Sequence, residues 1–144
     1  MPCHRRRNQH HRRGVATAEL AICLPIVIAI CVATIDICSA MFLRESLTIA
    51  AYEGARVGAP KGGTNELARV RVLQLLDERN INYDPDEVVT ISGDSFENAD
   101  TMEHVTVTVR APAAGNLISA TQFFNNKTIE AQVTLRKEYA NTND

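Results

Sequence analysis

Apolar positions along this chain follow three different spacings, and each predicts a different element. From Leu20 to Ile35 sixteen consecutive residues carry no charge, and between Val15 and Leu43 only Glu19 and Asp36 interrupt the run. A bilayer's hydrocarbon core is crossed by roughly 20 helical residues, so Val15 to about Ile35 is long enough for one span. Beyond Ile35 the helical pattern continues. Ala50, Gly54 and Gly58 recur at every fourth position, with Ala51, Ala55 and Ala59 beside them. That face has almost no side-chain bulk, so another helix can approach closely. Unbroken from Val15 to Gly58, such a helix is about 65 Å long, twice the apolar thickness of a bilayer, and would project as a stalk.

Pro60 and the pair Gly62-Gly63 then make a hinge. In the second spacing Leu67, Val70, Leu73 and Leu76 repeat at threes, widened by Val72 and Leu75, with Glu66, Arg69, Arg71, Asp77 and Glu78 opposite. This predicts an amphipathic helix lying on a sheet. The third spacing is alternation. Val105, Val107 and Val109 alternate with His104, Thr106, Thr108 and Arg110, and Ile129, Ala131, Val133 and Leu135 with Glu130, Gln132, Thr134 and Arg136. Two half-buried strands follow. A shorter strand is expected over Glu87–Ser92, and Leu117–Phe124 reads as a brief helix or an ordered connection. The expected fold is therefore α+β: a long N-terminal transmembrane and stalk helix, then a small domain with one amphipathic helix and an antiparallel sheet. Three segments result: a basic leader over 1–14, the helix over 15–59, and a domain over 60–144.

Charge sets the orientation. Arg5, Arg6, Arg7, Arg12 and Arg13 crowd the first fourteen residues without an acid, while the remainder holds 10 basic against 17 acidic residues. Arginines abutting an apolar run keep that end in the cytoplasm, which places the acidic body outside. An acidic body also argues against nucleic acid as a partner. Cys23, Cys31 and Cys38 lie in or beside the span and Cys3 in the leader, so no disulfide framework is available to the domain. His4, His10 and His11 sit on a tail that supplies no fixed scaffold for a metal.

The domain carries little candidate chemistry. Asp94, Glu97, Asp100 and Glu103 cluster beside His104, but their spacing matches no calcium loop and reads as a solvated acidic turn. There is no nucleophile-and-base signature and no phosphate-cradling glycine loop. An enzyme is not expected, nor a cofactor or metal.

Two residues of the apolar run stand out, because Glu19 and Pro25 are both costly there. An acid deep in a bilayer costs roughly 2.5–3.5 kcal/mol on insertion scales. Gly14 closes the basic leader, Val15 opens the helix, and Glu19 is the fifth residue after that junction. This arrangement resembles a type IV prepilin. The stretches "RRGVATAELAICLP", "TIDIC" and "LTIAAYEGARVGA", in that order, are similar to the start of TadE-like proteins, the pseudopilins or minor pilins of the tight-adherence (Flp pilus) system, and "VTLRKE" is similar to their closing strand. Leu20 stands where that family usually has an aromatic residue.

The resemblance implies cleavage between Gly14 and Val15 by a membrane-bound prepilin peptidase. It implies a bacterial inner-membrane, single-pass protein with other Tad pilus components and pilin-like subunits as partners. The amine freed on Val15 would pair with Glu19 of the same chain or a neighbour, near the positive end of the helix dipole. A glutamate snorkelling to water is the other account of that residue. Pro25 would kink the helix, and Pro25 with Ala50, Gly54 and Gly58 would serve helix packing in assembly. Two other functions fit the same anchor: an uncleaved single-pass adaptor or binding module, and a secreted soluble domain released before Met41, after Cys38-Ser39-Ala40.

Overall fold

A computed structural model describes residues 10–93, 95–118, 124 and 126–141, with side chains from Val15 onward. Helix α1 runs unbroken over His10–Gly58, 49 residues or about 70 Å, passing through Pro25. Helix α2 covers Asn65–Glu78 and opens on an N-cap, Thr64, whose hydroxyl accepts from the Leu67 N–H at 3.2 Å. Strands β1 (Val89–Ser92), β2 (His104–Pro112) and β3 (Thr128–Arg136) form an antiparallel sheet in the order β1-β2-β3. The α+β arrangement is the one the hydrophobic pattern predicts. Most of 117–124 and Asp94 of the acidic turn lie outside the described residues.

The sheet register follows the alternation. Val105, Val107 and Val109 are fully buried and pair with Leu135, Val133 and Ala131, which makes one apolar face. On the other face Thr106 and Thr134 share a hydroxyl hydrogen bond of 2.8 Å, and Arg110 meets its register partner Glu130 at 3.0 Å. These exposed cross-strand pairs fix register more than they add stability.

Two expectations are corrected. The helix on the sheet is the C-terminal half of α1, which packs against β2 and β3, while α2 packs mainly on α1 and only lightly on β1. Leu43, Leu47, Ala50, Ala51 and Ala55 of α1 belong to the same core as the sheet valines, so packing crosses the division expected at residue 60. In α2 the buried row is Ala68, Val72 and Leu76, at four-residue spacing, and Leu67 and Val70 stay half-exposed. The cause is Gly54. Any Cβ there would overlap Val72 Cγ2 and press on the Ala68 carbonyl, so the side of α2 that faces α1 is the one with alanine at the closest approach.

A lysine closes the far end. Lys137 is fully buried, and its ammonium donates to the carbonyls of Gly58 at 3.0 Å, Pro60 at 2.9 Å and Gly63 at 3.3 Å. These include an orphan carbonyl of the α1 terminus and two from the hinge, so one cation satisfies groups that have no helical partner. Burial lowers the Lys137 pKa from its ordinary value, with neighbouring Glu138 opposing the shift. The three acceptors favour the protonated form. Asn141 adds to the closure: its Oδ1 accepts from Gly62 N–H at 2.7 Å and its Nδ2 donates to the Gly63 and Phe96 carbonyls. Phe96, fully buried, plugs the gap over Gly58, where a Cβ would strike its ring.

Two substitutions test this packing in the full chain, each read by chemical denaturation in detergent. Lys137→Met keeps the aliphatic stem but leaves three carbonyls without their cation, and is expected to destabilise the domain by about 1.5–3 kcal/mol. Gly54→Leu drives a side chain into Val72 and is expected to cost about 1–3 kcal/mol, despite leucine's better helix propensity.

Candidate membrane and assembly surface

The surface of interest is the N-terminal half of α1. From Val15 to Cys31 every residue is exposed, and Leu20, Ile22, Leu24, Ile26, Val27, Ile28 and Ile30 are all more than half so or at the half mark. A helix apolar on all sides with no protein around it is soluble in lipid, not in water. Length and composition alone qualify this helix to cross a membrane, and it fits a single-pass membrane protein. Just beyond Cys31 the Thr34 hydroxyl is held locally, donating to the Ile30 carbonyl at 2.8 Å.

The predicted site residues fall in two groups. Gly14 and Val15 lie in the first two turns of α1, and Glu19 is exposed one helical turn beyond Val15. Residues at i and i+4 share a face, so a free amine on Val15 would stand beside the Glu19 carboxylate. The helix passes through the Gly14–Val15 junction. Pro25 has no N–H, so the Ala21 carbonyl has no helical donor in an exposed stretch.

Ala50, Gly54 and Gly58 form the second group and are all buried. Gly54 lies against the chain's own α2 and Gly58 against Phe96, with Ala50 in the same buried core, some 30 residues along the helix from Glu19 and Pro25. Glu53 and Arg56 form the surface pair their spacing suggests, at 3.4 Å. Asp36, just past the uncharged run, is 3% exposed and partnered.

Sequence reasoning missed Lys137 and Phe96. The signal for Lys137 was present: the parity that turns Ala131, Val133 and Leu135 inward extends to position 137. Phe96 stands alone in a polar turn and gives no periodic signal. That turn uses its own acids locally, Glu103 accepting from the Asp100 N–H at 2.8 Å. Among the described residues no group of three or more His, Cys, Asp or Glu is placed to hold a metal ion.

No match was found among curated proteins or among solved structures. The TadE-like protein family model matches residues 14–56, beginning at Gly14 and ending within the buried half of α1. Over that segment the chain is similar to TadE-like proteins, a family associated with the Tad pilus.

Proposed function

We propose that this protein is a pilin-like structural subunit, a minor pilin or pseudopilin, of a tight-adherence pilus or secretion apparatus. Prepilin peptidase removes its leader after Gly14, and it assembles through the N-terminal half of α1. The observation that carries the reading is the order of three features. The family match starts at Gly14, the residues from Val15 to Cys31 are all exposed and largely apolar, and Glu19 sits one turn beyond Val15. A leader of arginines, a small residue, an apolar helix and an acid one turn in are the parts such processing and docking need. The role is structural: the helix supplies lateral contact and the domain supplies a rigid head.

The secreted-domain alternative is disfavoured by the place of its cleavage site. Cys38-Ser39-Ala40 lies in the middle of α1, and the Ser39 hydroxyl accepts from the Ile118 N–H at 3.1 Å. Extending the chain there breaks a helix interior and a tertiary bond.

Sequencing the N-terminus of protein recovered from cells tests the processing step. It is expected to begin at Val15; Met1 would identify the uncleaved adaptor and Met41 the secreted domain. The docking role of the acid is tested by Glu19→Ala. Membrane insertion should be unchanged, because removing a charge lowers the cost of insertion. Recovery with the assembled pilus or its platform should fall at least tenfold, and wild-type recovery would refute the pairing.

A further inference from the structure

We infer that the rim of the folded domain nearest the span is itself a lipid-binding surface, with Met41 and Phe42 of α1 and Ile118 of the loop after β2 entering the headgroup layer of the bilayer that α1 crosses. The inference rests on the membrane-crossing reading of α1 and adds a second, independent contact to it.

The domain's cover over α1 begins lower than a stalk would allow. Val32 is half-buried while Cys31, Ala33, Thr34 and Ile35 around it are exposed; Asp36 is buried, Ser39 and Ala40 are half-buried, and Leu43 is buried. Positions 32, 36, 39 or 40 and 43 follow one helical face. Val32 also belongs to the uncharged run Leu20–Ile35, so the protein cover and the apolar run overlap by about one turn. With that run in hydrocarbon, the domain's edge lies in the interfacial layer, not above it.

The residues at that height are apolar and bare. Ile118 is 77% exposed, and its N–H bond to Ser39 Oγ ties it to α1 four residues past Ile35, about 6 Å along the axis. Phe42 and Met41, 69% and 66% exposed, lie on the adjoining turn. Ile35 and Ile37, each about half-exposed, connect this patch without interruption to the span. Higher up stand cations: Arg44 is exposed, and exposed Arg79 donates from one Nη to Ser46 Oγ at 2.9 Å, leaving further N–H groups outward. Apolar side chains below and arginines above is the order of a membrane interface, where guanidinium meets lipid phosphate. Continuity with the span selects lipid as the occupant over a second copy of the chain.

The chain has no tryptophan, so single tryptophans report local environment. The full chain carrying Leu24→Trp, Ile118→Trp or Tyr139→Trp is reconstituted in phosphatidylethanolamine and phosphatidylglycerol vesicles, with and without acyl-brominated phosphatidylcholine. Tyr139 follows Glu138, whose N–H binds the Ala59 carbonyl, so it marks the opposite end of the domain, about 30 Å from Ser39. Brominated lipid is expected to cut the emission of the Leu24 and Ile118 variants at least twofold and leave the Tyr139 variant unchanged. An Ile118 variant as insensitive as the Tyr139 variant, with Leu24→Trp quenched, overturns the rim contact alone. So does an Ile118 variant whose blue-shifted, unquenched emission is lost on dilution with lipid, which would mean a second copy covers it. If Leu24→Trp is unquenched, the membrane-crossing reading falls and this inference with it. Phe42→Trp gives the same readout should Ile118→Trp misfold.

Discussion

One continuous helix has to satisfy two solvents, and the rest of the structure is arranged around that constraint. Over 15–31 α1 offers apolar side chains in every direction, as a helix surrounded by lipid must. Over 43–59 the same backbone ladder presents one face to a protein core, with Leu43, Leu47, Ala50, Ala51 and Ala55 buried and Arg44, Glu45, Thr48 and Arg56 outside. No joint separates the two regimes. The domain is therefore built onto the helix, and its tilt and height relative to the span are set by helical geometry, with no linker to relax them.

That arrangement explains where the small residues go. Gly54 lets α2, and Gly58 lets the Phe96 ring, approach the backbone of α1, which shortens the distance from helix to helix and leaves room for β2 and β3 on the adjoining face. The end of α1 is then a liability, because its last carbonyls are buried beneath the hinge. Lys137 resolves it from the far end of β3, so the last strand of the sheet and the last turn of the first helix are locked through one ammonium group. Removing that group would expose the hinge and loosen the strand together.

Much of this was legible in the sequence, and what was not shares a cause. The long helix, the hinge at Pro60 and the strands are local patterns: an uncharged run, a breaker, an alternation. The choice of buried row in α2 is not local. Leu67 and Val70 are as apolar as Ala68 and Val72, and the absence of a side chain at Gly54 on another helix favours the second pair. Phe96 and Lys137 are single residues whose burial depends on partners about 40 to 80 positions away. Asp36 stands just past an uncharged run, and its burial depends on how far down the domain reaches.

The same geometry narrows how such a chain can meet its neighbours. The face with least bulk is already filled by α2 and Phe96, so lateral contact of the proposed kind would use the exposed length of α1, which from Val15 to Cys31 is bare on every side. Two polar defects lie there within about two turns: the Glu19 carboxylate and the Ala21 carbonyl that Pro25 deprives of its donor. Lipid hydrocarbon satisfies neither, and each unsatisfied group is costly in that medium. A terminal amine on Val15 and donors from an adjacent helix would satisfy both. The stretch least suited to lipid alone is thus the one that a cleaved, side-by-side bundle of such helices would bury.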